Sequence, residues 1–216
     1  MNFNNYDPEV NGEYSFLQSI SAEVQTLFDV GAHTGAYSHR LLSLAPQVRV
    51  FAFEPIEELC ARITPHPHLT IFPAAIGDAI RTETVFYNPG NPGLTSIHIP
   101  GVKMRPVEVV QYTLDHVVGE LAFLRPALAK IDVEGHEIYV LQGMTKCLER
   151  GLFKWIQFEY GGTYRLSARL LEEAFAIFRI YSYTVHHLLP TGLLPCPFFD
   201  PEWENFEYSN WVAIKN

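Results

Sequence analysis

Apolar positions along this chain recur with two alternating periods, and that alternation predicts the architecture. Tyr14, Leu17, Ile20 and Val24 stand at helical spacing within residues 13–24, which predicts a lead-in helix. The apolar run through Leu27 and Phe28 then meets Asp29, Gly31 and Gly35, a strand turning tightly into a helix over 37–44 that stops before Pro46. Residues 48–53 read as a buried second strand, 56–63 as a short helix and 69–72 as a third strand.

The rhythm then changes. Residues 83–87, 94–97 and 107–112 are short β-rich runs broken by Pro and Gly turns at 88–93 and 100–101, which predicts antiparallel strands inserted over 79–112, between the third and fourth core strands. Alternation resumes with a helix at 113–118, a strand at 127–133, a helix at 136–150 closed by Gly151 and a strand at 153–160. A helix at 166–178, a strand at 180–185, a proline-rich loop at 188–201 and a last strand at 210–214 complete it. With no linker or repeat, residues 1–216 read as one α/β domain.

Composition narrows the partners. Across 216 residues the formal charge is −9 and the basic residues are scattered, so a polyanion such as nucleic acid is not the expected partner. Three cysteines without C-x-x-C spacing indicate neither a zinc site nor a disulfide framework. The polar, acidic start and the lack of a membrane-length apolar run predict a cytoplasmic protein with no membrane partner. Phe198, Phe199, Trp203 and Phe206 have the character either to stack on a sugar face or to seal a contact between copies, so a homo-oligomer stays open.

Chemistry concentrates at two predicted strand ends. After the first strand, Gly31 and Gly35 allow close backbone approach, and the helix start offers unpaired N–H groups. A pyrophosphate is disfavoured there. His33 occupies the position where a dinucleotide fingerprint needs its second glycine, and the Gly-Lys-Ser/Thr of a phosphate loop is missing. Asp29 would repel phosphate yet suit an amine or sulfonium, and Glu54, at the end of the second strand, stands where an acid accepts ribose hydroxyls. Those needs coincide in S-adenosylmethionine.

The second strand end is Lys130-Ile-Asp-Val-Glu-Gly-His-Glu137, where Asp132, Glu134 and His136 cluster. Methylating an alcohol requires a nucleophile held in line and a destination for its proton, so in a methyl transfer Glu134 and His136 are the candidate bases, with Asp132 clustered beside them. The same acids also have the ordinary use of favouring the start of a helix. Asp132, Glu134 and Glu159 end neighbouring strands in this reading and would suit Mg²⁺, but nothing in the spacing requires a metal, and none is assigned. Thr95 to His98 and the 188–199 loop are candidates to roof the acceptor.

Taken in order, Phe28-Asp-Val-Gly-Ala-His-Thr-Gly-Ala-Tyr-Ser38, Phe53-Glu-Pro55, Ala74-Ala-Ile-Gly-Asp78 and Lys130 to Glu137 resemble the FkbM-type S-adenosylmethionine-dependent methyltransferases. One position departs: His33 stands where that family more often has asparagine. The resemblance implies a Rossmann-like class I methyltransferase sheet of seven strands, the last antiparallel, and O-methylation of a small acceptor, a sugar, glycosylated metabolite or polyketide-like product. It places Asp29, Gly31, Ala32 and Gly35 along the methionine half of the cofactor, with Ser38 at its carboxylate, His33 among the cofactor-binding residues, and Asp132 beside the cofactor, where it would bind the methionine amine or orient the acceptor. It puts Glu54 on the ribose, and Pro55, Ala75, Ile76 and Asp78 around the adenine. The rival readings are a catalytically degenerate S-adenosylmethionine-binding regulator and, disfavoured by the glycine pattern, an NAD-dependent oxidoreductase.

Overall fold

The computed structural model describes residues 5–90, 95–98 and 104–216. Its centre is an eight-stranded sheet in the order β3-β2-β1-β7-β8-β11-β9-β10. Strands β1 (Thr26–Val30), β2 (Arg49–Phe53), β3 (Leu69–Phe72), β7 (Ala127–Ile131) and β8 (Phe153–Tyr160) run parallel. The last strand, β11 (Ser209–Lys215), is antiparallel to both its neighbours, β8 and β9 (Tyr183–Leu189). The predicted antiparallel final strand is therefore present. The eighth strand was not predicted: β10 (Gly192–Cys196) forms a hairpin with β9 inside the proline-rich loop. Pro195 is tolerated because β10 lies at the sheet edge, where a missing N–H costs no ladder bond.

Helices cover both faces. Helices α1 (Glu13–Ile20) and α2 (Ala36–Leu44) bury Phe16, Leu17, Leu41 and Leu42 against Leu27, Val50, Leu128, Trp155 and Val212. The opposite face carries Phe28, Phe51, Ala129, Ile156 and Phe158. Helices α4 (Leu114–Glu120), α5 (Glu137–Gln142), α6 (Thr145–Glu149) and α8 (Leu171–Ile180) close over it. In-register strand positions share a face, so Asp29, Lys130 and Gln157 form a polar row across β1, β7 and β8 beneath α1 and α2.

The long helix predicted over 136–150 divides into α5 and α6. A Cβ on Gly143 would come within 1.9 Å of the Gly77 carbonyl oxygen, so two backbones meet there. The Asp115 carboxylate restarts the helix by accepting the Lys146 and Cys147 N–H groups at 3.0 and 2.9 Å. The helix predicted over 166–178 likewise divides into α7 (Thr163–Ser167) and α8, and the one at 56–63 shortens to α3 (Glu57–Cys60).

Within the segment predicted as an insertion, β5 (Arg81–Tyr87) pairs antiparallel with β6 (Arg105–Tyr112), while β4 (Ala75–Ile76), which precedes that segment, joins β6 in parallel to make a separate three-stranded sheet. Of the run predicted at 94–97, Ser96 forms an isolated bridge with Phe86, while Leu94 and the turns at 91–93 and 100–101 lie outside the described residues. Val85, Tyr87 and Val109 pack on Ile56, Leu59 and Ala75, which fixes this small sheet beside the carboxyl ends of β1 to β3. Phe199 and Trp203 pack on Phe175 in the core, and Phe198 is exposed.

Candidate active site

The turn after β1 is built from left-handed backbone. Gly31, His33 and Gly35 have φ of 83°, 52° and 77°. A Cβ on Gly31 would sit 1.7 Å from the Asp132 carbonyl oxygen, and the Asp132 N–H donates to the Val30 carbonyl at 2.9 Å. The turns after β1 and β7 are thereby clamped to each other. Asp29 is fully buried; its Oδ2 accepts the Ser38 hydroxyl at 2.6 Å, while Oδ1 has no partner among the described residues. Burial raises the Asp29 pKa, and the nearby Lys130 opposes that rise.

Glu54 closes the other side of this turn. Its Oε2 accepts the His33 N–H at 2.9 Å and its Oε1 the Ile56 N–H at 2.9 Å. Burial raises its pKa to about 7 against the pull of those two N–H groups. His33 thus contributes its backbone to orienting Glu54, so the departure at that position does not disturb the turn.

The turn after β7 holds a denser set of charges. Lys130 is buried, with Nζ 2.5 Å from Asp132 Oδ2 and 5.5 Å from the centre of the Tyr37 ring. Burial disfavours its charge, but Asp132, Asp29 and Glu13 more than reverse this and hold the ammonium charged. Oxygens of Asp132, Glu134 and Glu159 lie within 4.8 Å of one another. Burial, then Asp132 and Glu137, raise Glu134 to about 9; burial, then Asp132 and Glu134, push Glu159 well above the usual range. Glu134 itself has φ 53°, an uncommon conformation for a side-chain-bearing residue, and Ser96 of the insertion donates its hydroxyl to the Glu134 carbonyl at 2.7 Å.

His136 is differently placed. Gln111 Nε2 donates to the Ala79 carbonyl at 2.9 Å, so Gln111 Oε1 faces His136 Nε2 at 3.2 Å and accepts its proton. That leaves Nδ1 as the acceptor for His98 Nε2 at 3.0 Å. Both ring nitrogens are engaged. Burial, and then His98, lower its pKa to about 3.

These elements border one cleft of about 380 Å³, within the range of small-molecule sites. Asp29, Gly31, Ala32, His33, Glu54, Pro55, Ala75, Ile76, Asp132, Glu134 and His136 all line it, as do Thr95, Ser96 and Ile97. Gly35, Ser38 and Asp78 do not: Gly35 precedes α2, Ser38 is spent on Asp29, and Asp78 pairs with Arg81 at 2.9 Å.

Sequence reasoning missed Lys130, Tyr37, Glu13, Tyr14 and Tyr208 as lining residues. Lys130 carried a signal, a lone charge inside an apolar strand, which is costly unless paired. Tyr37 donates to Gln157 Oε1 at 2.7 Å, and Gln157 donates to Glu13 Oε2 at 2.7 Å, a link between distant segments that no local pattern announces.

The methyltransferase FkbM domain family matches residues 29–185 of this chain. The chain belongs to the FkbM methyltransferase family. It is an S-adenosylmethionine-dependent methyltransferase domain. It is similar to the hexuronic acid methyltransferase AglP of Haloferax volcanii, with 25% identity over 77% of this chain and 70% of that protein. It is also similar to part of the AMB antimetabolite synthetase AmbE of Pseudomonas aeruginosa, 28% identical over 55% of this chain but only 8% of the synthetase. Among solved structures, an FkbM methyltransferase from Methylobacillus flagellatus superposes with a TM-score of 0.56 at 14% identity, over 88% of this chain and 43% of that one, which shows the shared fold. The chain thus spans less than half of the solved FkbM protein and a small fraction of the synthetase. No helix among the described residues is long and apolar enough to cross a membrane.

Proposed function

We propose that this FkbM domain transfers the methyl group of S-adenosylmethionine to a hydroxyl of a small acceptor, most simply a sugar. The observation that carries the reading is the buried Asp29, its Oδ1 without a partner among the described residues, in the lining of one cleft with Glu54, Asp132 and Glu134. The residues fit the cofactor's parts. Asp29 Oδ1 is free to accept from a cationic amine, and Glu54, with one N–H on each oxygen, keeps lone pairs for two ribose hydroxyls. Pro55, Ala75 and Ile76 give the apolar walls an adenine needs. The hexuronic acid specificity of AglP supports a sugar acceptor.

When bound, S-adenosylmethionine supplies a methyl group whose bond to sulfur breaks, the electron pair staying on sulfur, as the bond to the acceptor oxygen forms. The acceptor's proton passes to the Glu134 carboxylate. In the free protein Glu134 holds its own proton, being raised to about 9; a positive group entering the cleft favours its ionised form. Ser96 fixes the backbone that carries it. Calorimetric titration tests the reading: S-adenosylmethionine binds and NAD does not, and Asp29→Asn weakens S-adenosylmethionine. Binding of NAD alone would sink it. Incorporation of labelled methyl into a monosaccharide panel then separates an enzyme from a cofactor-binding regulator.

A further inference from the structure

The amino-acid end of S-adenosylmethionine carries an ammonium and a carboxylate on one carbon, so the two charges must land side by side. Given the methyltransferase reading above, Asp29 takes the ammonium and the carboxylate still lacks a partner. Ser38, which the resemblance places there, donates its hydroxyl to Asp29 Oδ2 at 2.6 Å, and Tyr37 donates its own to Gln157 at 2.7 Å. A hydroxyl has one proton to give, so neither can also donate to an anion. The backbone of the glycine turn is engaged as well. The Gly31 and Ala32 N–H groups donate to the Phe53 carbonyl, the His33 N–H to Glu54 and the Gly35 N–H to the Ala32 carbonyl.

Of the donors that remain beside Asp29, the start of α2 with Thr34 just before it offers a partial charge, and Lys130 offers a full one. Lys130 stands opposite Asp29 in the register of β7 against β1, on the same face of the sheet, and neighbouring strands lie about 4.8 Å apart. It is 8% exposed and lines the cleft. An ammonium has three protons to donate, and among the described residues this one makes a single hydrogen bond, to Asp132 Oδ2 at 2.5 Å. Asp132, Asp29 and Glu13 hold it charged against its burial. Next to it, Asp29 is fully buried with Oδ1 lacking a partner among the described residues. An orphaned acceptor and an ammonium with protons to spare thus occupy adjacent positions in the lining of one cleft, the complement of a zwitterion.

We propose that Lys130 binds the methionine carboxylate of S-adenosylmethionine, so that Asp29 and Lys130 together form a receptor for an α-amino-acid head. The lysine buried in an apolar strand then has a use beyond neutralising Asp132.

The test is calorimetric, on the full chain, with S-adenosylhomocysteine, its decarboxylated analogue, which keeps the amine, and methylthioadenosine, which lacks the whole head. The parent is expected to bind S-adenosylhomocysteine about ten- to a hundredfold more tightly than the decarboxylated analogue, the range of one hydrogen bond between charged groups. In Lys130→Met that ratio should fall to within about threefold of unity while methylthioadenosine affinity holds. If Lys130→Met does not fold, the side-chain nitrogen resonance of Lys130 in the parent carries the test, shifting with S-adenosylhomocysteine and staying in place with the decarboxylated analogue. Equal affinity of the parent for those two ligands, a resonance that responds alike to both, or a ratio unchanged in Lys130→Met would overturn the proposal, the last by handing the carboxylate to the start of α2. Failure of S-adenosylhomocysteine and methylthioadenosine both to bind the parent would instead bring down the methyltransferase reading on which it rests.

Discussion

The turns after β1 and β7 share a construction and differ in what they leave unsatisfied. Both place side-chain-bearing residues at positive φ, His33 and Glu134, and both use a glycine where backbones or loops meet closely. At the first turn the polar groups are largely settled: Ser38 holds one oxygen of Asp29, and two backbone N–H groups hold Glu54. Around the second turn burial, and then neighbouring acids, raise the proton affinity of Glu134, Glu137 and the nearby Glu159 of β8, and the Lys130 ammonium opposes that rise at Glu134 and Glu159. A settled site binds without changing; a crowded set of acids gives up or takes a proton when a charged group arrives. We read the difference as binding at the first turn and proton transfer at the second.

The sharpest way to break that division is Glu134→Gln. The amide keeps shape and hydrogen bonding but cannot take the proton, so kcat should fall by about 10²–10³-fold while cofactor affinity stays within about threefold. Equal losses in binding and turnover would merge the two roles. A pH series on the free protein sharpens the first turn. Glu54 rises from 4.5 to about 7 through burial, offset by the Ile56 and His33 N–H groups and reinforced by Asp29 and Asp132. The folded state thus binds its proton more tightly than the unfolded chain. Its contribution is fully present below pH 4.5 and is lost as pH rises toward 7, on the order of 3 kcal/mol at most. Thermal melts should show falling stability over that window, with a shallower slope in Glu54→Gln. The same variant should weaken S-adenosylmethionine by about tenfold, one charge-assisted hydrogen bond, with kcat at saturation nearly kept.

The strand ends were legible because strands and turns write locally. Asp29, Glu54, Asp132 and Glu134 each sit where an apolar run stops, and the parallel sheet brings those stops to one edge. The breaks at Gly143 and the β10 hairpin were not legible, since one depends on the approach of Gly77, 66 positions away, and the other on edge position in the sheet. Glu13 and Tyr208 reach the cleft from opposite ends of the chain, and periodicity cannot report such a meeting. His136 shows the same limit in one residue. Its place in the motif predicted a base, while its role depends on Gln111 and His98 of the insertion.

That residue supplies the smallest expected effect on catalysis. With Nε2 donating to Gln111 and Nδ1 accepting from His98, His136 has no lone pair left for an acceptor proton, and a pKa near 3 makes it a weak base at any working pH. It is instead a strut: its ring stacks on Tyr139 at 4.4 Å and ties the insertion, through His98, to the turn that carries Glu134. His136→Phe keeps the stacking volume and removes both nitrogens, stranding the Gln111 carbonyl. We expect a stability loss of about 1–3 kcal/mol for that unpaired buried group, and a kcat within about threefold of the parent, with an unchanged pH profile. A hundredfold loss in kcat, or the disappearance of one limb of the pH profile, would return the base to His136 and leave Glu134 as a charge that orients the acceptor.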